Sequence, residues 1–524
     1  MVETIYDKLK YNTGSCACWP FDLPEPYIIR GEYMDTVGYS RREFLFRAGC
    51  GSAVAFLSST MLSQVLNAAD NARPPNFIVI LIDDMGYGDI EPFGSKLNRT
   101  PNLTRMAKEG MKLTSFYAAP VCTPSRAQVM TGCYAKRVSL GAVLFPSGRT
   151  GLGKNEITVA DLLKKRGYST MCIGKWHLGD QPEFLPLNHG FDHWVGLPYS
   201  NDMGGDMKKG KRPPLPLLRD GKVAEAPVEQ TKLTRLYTDE AVKFITANKD
   251  KPFFLYLPHT AVHVPLNPGP EFKGKSKNGE YCDWVEEVDW STGQILETLR
   301  KLNIDKNTLV LFTSDNGPWL SMGKAGGVAV PLRGGKGSTW EGGMREPTLA
   351  WWPGKVPAGS TCDAMTSEID ILPTLVTLAG GEVPKDRIID GLDIWPLLSG
   401  NRKDSPHEAL FYINGGTIQA VRSGPWKLFV HPPKSNDKGE KAEEEGKDDA
   451  AGEARKPLLF NLDNDIGETT DLFDKNPEIV KKLTEYVNRM EEDIGGKGKP
   501  GPGVRPCGLV QNPKPILMGE QEYK

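Results

Sequence analysis

From Asn76 to Ile82 the chain reads Asn-Phe-Ile-Val-Ile-Leu-Ile and then stops at Asp83-Asp84-Met85-Gly86. A strand with one wet face alternates apolar and polar residues. This one does not, so both of its faces need cover, as in the middle of a parallel sheet flanked by helices. Similar runs recur at Ser169–Ile173, Phe253–Leu257 and Leu309–Phe312. Helical patterns fall between them, at Asn102–Gly110, Thr158–Arg166, Leu233–Ala247 and Trp284–Leu302. That alternation predicts an α/β fold with a mostly parallel central sheet. Ligands of such sheets bind beyond the carboxyl ends of the strands. Asp83-Asp84 and Asp315-Asn316 each directly follow a strand, so the topology predicts that they converge.

The pattern changes near residue 405. Leu410–Tyr412, Thr417–Arg422 and Trp426–Val430 read as short strands separated by turns, which predicts an antiparallel sheet. A charged helix closes the region from Pro477 to Ile494, with Asn476 suited to its N-cap and Pro477 to its first position. Between them, Ser435–Lys456 is a mixed-charge run with the composition of a solvated loop. The expected organisation is a leader over 1–72, a catalytic domain over 73–404 and a smaller α+β subdomain over 405–524.

Charge narrows the partners. Sixty-four basic residues against 66 acidic ones leave a net charge of −2 over 524 residues, so no overall positive field is available for nucleic acid. The first seventy residues carry Ser40-Arg41-Arg42-Glu43-Phe44-Leu45, a moderately apolar stretch from Ala53 to Leu66, and small residues at Ala68, Ala69 and Ala72. The apolar stretch is shorter than the roughly 18–20 residues that cross a bilayer. This is the layout of a twin-arginine export signal cut near Ala69–Ala72. It predicts a periplasmic or secreted destination, with the export machinery as a transient partner and no membrane span. Met34 would open a more ordinary leader than Met1. Cys50 precedes the apolar stretch, which argues against a lipid anchor.

Six cysteines remain beyond the leader, at 122, 133, 172, 282, 362 and 507, with no C-x-x-C pair. That spacing fits neither a zinc ribbon nor a dense disulfide framework, and leaves one or two bridges open. Cys122 stands out because Pro120-Val121-Cys122-Thr123-Pro124-Ser125-Arg126 leads into a predicted helix. A helix N-terminus lowers a thiol's pKa and attracts anions, and Arg126 would suit an anionic substrate.

Cys122-Thr123-Pro124-Ser125-Arg126 resembles the signature of the formylglycine-dependent sulfatases, a branch of the alkaline phosphatase superfamily. The resemblance extends in order through Asp83-Asp84, Gly174-Lys175-Trp176-His177, Pro198-Tyr199-Ser200, His263-Val264-Pro265, Ser314-Asp315-Asn316-Gly317, Gly335-Lys336-Gly337 and Glu341-Gly342-Gly343, and covers about residues 75–475. It implies an alkaline-phosphatase-like core and hydrolysis of sulfate monoesters. It also implies that Cys122 is oxidised to Cα-formylglycine by a formylglycine-generating enzyme, and that a divalent cation is held by Asp83, Asp84, Asp315, Asn316 and the converted Cys122. By the same resemblance Arg126 and Lys175 steady the nucleophile and sulfate. Lys336 lies near the leaving oxygen, His177 helps expel sulfate, His263 protonates the leaving group, and Ser200 contacts substrate.

The chemistry agrees with that set. A sulfate monoester needs its non-bridging oxygens neutralised, a nucleophile ionised and a leaving oxygen protonated. Carboxylate and amide oxygens are hard ligands, suited to Ca²⁺ or Mg²⁺. His259 competes with His263, but only His263 has the His-x-Pro spacing. His189, His193, His407 and His431 are read as structural. Aryl, galactosamine and other carbohydrate sulfates all remain open as substrates. The alternatives are a phosphonate or phosphodiester hydrolase of the same superfamily, and a non-catalytic protein that binds sulfated glycans.

Overall fold

A computed structural model describes residues 73–205, 212–433, 455–496 and 499–519 of the protein. All fall within one compact unit, Arg73–Lys524. The expected leader with Arg41 and Arg42 lies outside the described residues, as does most of the mixed-charge run.

The central sheet is built on strands β1 (Asn76–Ile82), β2 (Met111–Tyr117), β3 (Ser169–Ile173), β4 (His193–Gly196), β5 (Phe253–Pro258), β6 (Thr308–Ser314) and β7 (Arg345–Trp351). Their spatial order is β2-β7-β6-β1-β5-β3-β4. Short strands extend both edges, Ser360–Cys362 beside β2 and the hairpin Leu217–Arg219 and Lys222–Glu225 beyond β4. β1 runs parallel to β5 and β6, and β3 runs parallel to β5 and β4. β7 is antiparallel to both β6 and β2.

β1 shows why its sequence does not alternate. Phe77, Val79 and Leu81 enter one apolar core while Ile78, Ile80 and Ile82 enter the other. Helix α1 (Pro101–Glu109), α4 (Leu233–Ala247) and α5 (Glu280–Lys301) pack on the second face, whereas α2 (Cys122–Thr131) and α3 (Val159–Lys165) pack on the first. Burying each such β-branched side chain contributes about 1.5–3 kcal/mol, so β1 is held from both sides along its whole length.

The C-terminal region forms a separate four-stranded antiparallel sheet, Leu410–Asn414, Thr417–Ser423, Trp426–Phe429 and Leu458–Asn461, in that order. Helix α6 (Pro477–Ile494) lays Leu483, Tyr486, Val487, Met490 and Ile494 against it. Asn476 occupies the N-cap position of α6, but its side chain does not cap the helix. It turns back and donates to the Leu472 carbonyl at 2.9 Å. Among the described residues Cys122, Cys133, Cys172, Cys282, Cys362 and Cys507 are all unpaired thiols. No helix among them is long and apolar enough to cross a membrane.

Candidate active site

The carboxyl ends of the parallel strands collect the polar motifs. Asp83-Asp84 follow the carboxyl end of β1, Lys175 and His177 that of β3, Ser200 that of β4, His263 that of β5, and Asp315-Asn316 that of β6. The segment after β2 leads into Cys122, and Lys336 and Glu341 precede the antiparallel β7. Parallel strands bring their carboxyl ends to one side, so motifs far apart in sequence meet there.

Cys122 is the first residue of α2, a helix buried along its whole length. Ser125 locks this helix down: its hydroxyl accepts from the Ala119 amide at 2.9 Å and donates to the Asp315 carbonyl. Thr123 donates to the His177 carbonyl at 3.0 Å and accepts from the Leu144 amide at 3.2 Å. The helix ends at Gly132, whose φ of 67° is the left-handed conformation that glycine adopts without strain. The expectation of an activated thiol is not met. Burial pushes the Cys122 thiol up to about 12, outweighing Lys175 and Lys336, so an unconverted cysteine stays protonated at neutral pH.

Three carboxylates and three cations surround this point. Lys175 Nζ lies 2.5 Å from Asp83 Oδ2 and donates to the Ser200 hydroxyl at 3.1 Å. Arg126 donates from Nε and Nη2 to Asp315 Oδ2, at 3.1 and 2.7 Å, and its Nη2 lies 3.4 Å from Asp83. Lys336 Nζ sits 2.9 Å from Asp84 Oδ1. Burial drives the Asp83 carboxyl upward, but Lys175, His263, Arg126 and Lys336 overcome it and hold Asp83 far below the usual carboxylate range. Burial and the charge of Asp83 push Asp315 up to about 7 against Arg126. The carboxylates thus share the positive charge unequally, Asp83 taking more of it than Asp315.

A divalent cation fits this arrangement. Ligand atoms of Asp83, Asp84, Cys122 and His263 all lie within 4.8 Å of one another. Asp83 Oδ1 and Asn316 Oδ1 are buried with no hydrogen-bond partner among the described residues. Asn316 is oriented for this role because its amide nitrogen donates to Asp84 Oδ1 at 2.8 Å and to the Gly317 carbonyl at 2.9 Å, which leaves the carbonyl oxygen over. Two orphaned hard oxygens beside carboxylates suit Ca²⁺ or Mg²⁺. Asp315 adjoins this cluster, its Oδ1 accepting from the Asp84 amide at 3.2 Å.

The histidines separate by geometry. His263 Nδ1 donates to the Val264 carbonyl at 2.5 Å, so Nε2 is the free nitrogen, 3.6 Å from Asp84 Oδ2. His259 instead meets the Ser291 hydroxyl at 3.4 Å and is pushed down to about 3 by burial alone. His177 Nε2 donates to the Leu144 carbonyl at 2.9 Å. Its Nδ1 is buried and unpartnered among the described residues, and burial with Lys175 and Arg126 keeps the ring neutral. His193 pairs with Asp220 and His407 with Asp370, in keeping with structural roles.

Sequence reasoning missed two contributors. Trp319 packs against His263 and Lys336. Its only signal was its position three residues after Asn316. Lys427, from the C-terminal sheet, is fully buried between Glu341 (2.9 Å) and Glu468 (2.7 Å) and donates to the Thr339 carbonyl at 2.8 Å. Nothing local in the sequence marks a lysine in a short strand as a buried partner of a glutamate 86 residues away.

A family model described as Sulfatase matches residues 75–381, and one described as the C-terminal region of aryl-sulfatase matches residues 405–499. The chain belongs to the sulfatase family. It is a sulfuric ester hydrolase, with the fold that the resemblance implied. It is 38% identical to the N-acetylgalactosamine-6-sulfatase of Mus musculus, over 85% of this chain and 92% of that protein. It is 37% identical to arylsulfatase A of Bos taurus, over 80% of this chain and 87% of that protein. Among solved structures, the PsFucS1 sulfatase from Pseudoalteromonas sp. superposes with a TM-score of 0.73 at 30% identity, covering 83% of this sulfatase and 94% of that chain.

Proposed function

We propose that this sulfatase is an exported, formylglycine-type enzyme that hydrolyses carbohydrate sulfate monoesters, with Ca²⁺ as the favoured cation and Mg²⁺ as the alternative. The observation that carries this reading is the convergence of Cys122 with three carboxylates, three cations and two orphaned oxygens at the carboxyl ends of the parallel strands. The raised thiol supports it further, since a protonated Cys122 is a poor nucleophile and needs conversion to act. Similarity to proteins named N-acetylgalactosamine-6-sulfatase supports a sugar as the alcohol half. The twin-arginine layout supports export of a protein already folded and converted.

Each residue then has a task. Cys122, oxidised to formylglycine and hydrated, carries two geminal hydroxyls. One attacks sulfur, and the alcohol leaves with a proton supplied at its oxygen by Nε2 of the doubly protonated His263 ring, with Lys336 alongside. The second hydroxyl loses its proton to His177 Nδ1, and the carbon–oxygen bond to sulfate breaks. This regenerates the aldehyde, which water hydrates again. Arg126 and Lys175 hold the anionic oxygens, and Ser200 orients Lys175. Asp83, Asp84, Asp315 and Asn316, with the converted Cys122, would hold a divalent cation, which when bound supplies Lewis-acid charge at the nucleophile and sulfate.

Peptide mass spectrometry of active protein tests the reading, together with turnover by Cys122→Ser. Cys122 should have lost sulfur and two hydrogens and gained one oxygen. The serine variant has no second hydroxyl, so it should be sulfated once and stall. An unmodified cysteine in fully active enzyme, or repeated turnover by the serine variant, would point to another nucleophile.

A further inference from the structure

Trp319 touches both groups assigned above to the leaving oxygen. Its ring lies 5.5 Å from the His263 ring, centroid to centroid, and Lys336 Nζ lies 4.6 Å from its centroid. The backbone around it is fixed. The Lys336 amide donates to the Pro318 carbonyl at 3.0 Å and the Gly317 amide to the Gly343 carbonyl at 3.2 Å. A Cβ at Gly326 would come within 1.9 Å of the Trp319 carbonyl oxygen. Only 6% of Trp319 is exposed. Its indole nitrogen is buried without a hydrogen-bond partner among the described residues, so packing and the nearby cation hold the ring in place.

We propose that Trp319 is a positioning residue for leaving-group protonation, its face holding the Lys336 ammonium and the His263 imidazole on the leaving-oxygen side of the site. Asp84 attracts the same two groups, from 2.9 and 3.6 Å. An aromatic wall balances that pull. It attracts a cation through the face of its ring, and so sets where the Lys336 ammonium sits relative to the substrate. It also keeps water from both groups. This inference rests on the sulfatase reading above. It places the effect in one step: a nitrophenoxide leaves readily without a proton, whereas a basic phenoxide or an alkoxide depends on one.

The experiment compares kcat/KM of the mature enzyme, Trp319→Leu and Trp319→Phe on phenyl sulfates graded from 4-nitrophenyl to 4-methoxyphenyl. Trp319→Leu should lose roughly tenfold or more on the 4-methoxyphenyl ester and clearly less on the 4-nitrophenyl ester, which steepens the dependence on leaving-group basicity. Trp319→Phe keeps an aromatic face and should show the same ordering with a smaller loss. It decides the matter alone if the leucine variant does not fold. An equal loss on every ester, or none on any, overturns the proposal. Failure of the unsubstituted mature enzyme on these esters and on sulfated sugars alike would count against the formylglycine mechanism proposed above instead.

Discussion

Arg126 binds Asp315 through two nitrogens on one oxygen, at 3.1 and 2.7 Å, with both side chains fully buried. It also donates from Nη1 to the Lys175 carbonyl at 2.5 Å. One side chain on the second turn of α2 therefore ties the helix that presents Cys122 to the ends of β3 and β6. Replacing it removes the cation that compensates Asp315 and, at 3.4 Å, Asp83.

Arg126→Met should therefore destabilise the metal-free protein by about 3–5 kcal/mol, the usual cost of leaving a buried charge without its partner. A divalent cation should recover part of that loss, because it relieves the same carboxylates. Urea unfolding with and without Ca²⁺ measures both. A variant as stable as the unsubstituted protein without metal would show that the arginine is not what holds the carboxylates together.

Removal of divalent cations should abolish sulfate release. Asp83 Oδ1 and Asn316 Oδ1 are buried acceptors with nothing else to accept among the described residues. Exhaustive chelation followed by a release assay checks this, with Ca²⁺ or Mg²⁺ returned afterwards to restore turnover. Asp315→Ala should behave like the chelated enzyme even with excess cation. Full turnover by demetallated protein would remove the cation from the mechanism.

Lys427 joins the C-terminal sheet to the segment that follows Lys336. Its ammonium lies 2.9 Å from Glu341 and 2.7 Å from Glu468, and 4.0 Å from the Tyr412 ring centroid. Lys427→Met should cost about 3–5 kcal/mol, since two buried carboxylates lose their shared cation. It should also lower kcat by loosening Thr339 and Glu341. Thermal melting and steady-state kinetics on one preparation test the coupling. A stability loss with unchanged kcat would confine Lys427 to holding the fold.

The sequence was most legible where burial imposes a pattern. The β1 and β3 expectations match residue for residue, as do α4 and α6, because uninterrupted apolar runs and strong helical periodicity have few alternative readings. β7 was missed because Pro347 stands inside it, and proline argues against an interior strand. The structure accommodates it at a register shift between Glu346 and Thr348. β2 was missed because its Lys112 and Thr114 are half-exposed and dilute the apolar signal. The site was legible through its motifs, whereas Trp319 and Lys427 depend on contacts across the fold that no local pattern encodes. The thiol of Cys122 was misjudged for a related reason: a helix N-terminus favours a thiolate, but complete burial outweighs it.

Acid should destabilise the protein partly through His189. This ring is buried, stacks on Trp176 at 6.1 Å, and is pushed down to about 4 by burial. An exposed histidine in the unfolded chain titrates at about 6.5. Between those values the unfolded chain binds a proton that the folded protein refuses, so stability falls as pH falls through that window and is fully present above it. The difference amounts to about 3 kcal/mol by pH 4. His189→Phe keeps a flat ring against Trp176 and removes the proton site, so its stability should decline less between pH 6.5 and pH 4. Denaturant midpoints of both proteins across that range provide the comparison. Parallel curves would mean that the imidazole takes up its proton in the folded protein without penalty, and that the acid sensitivity arises elsewhere.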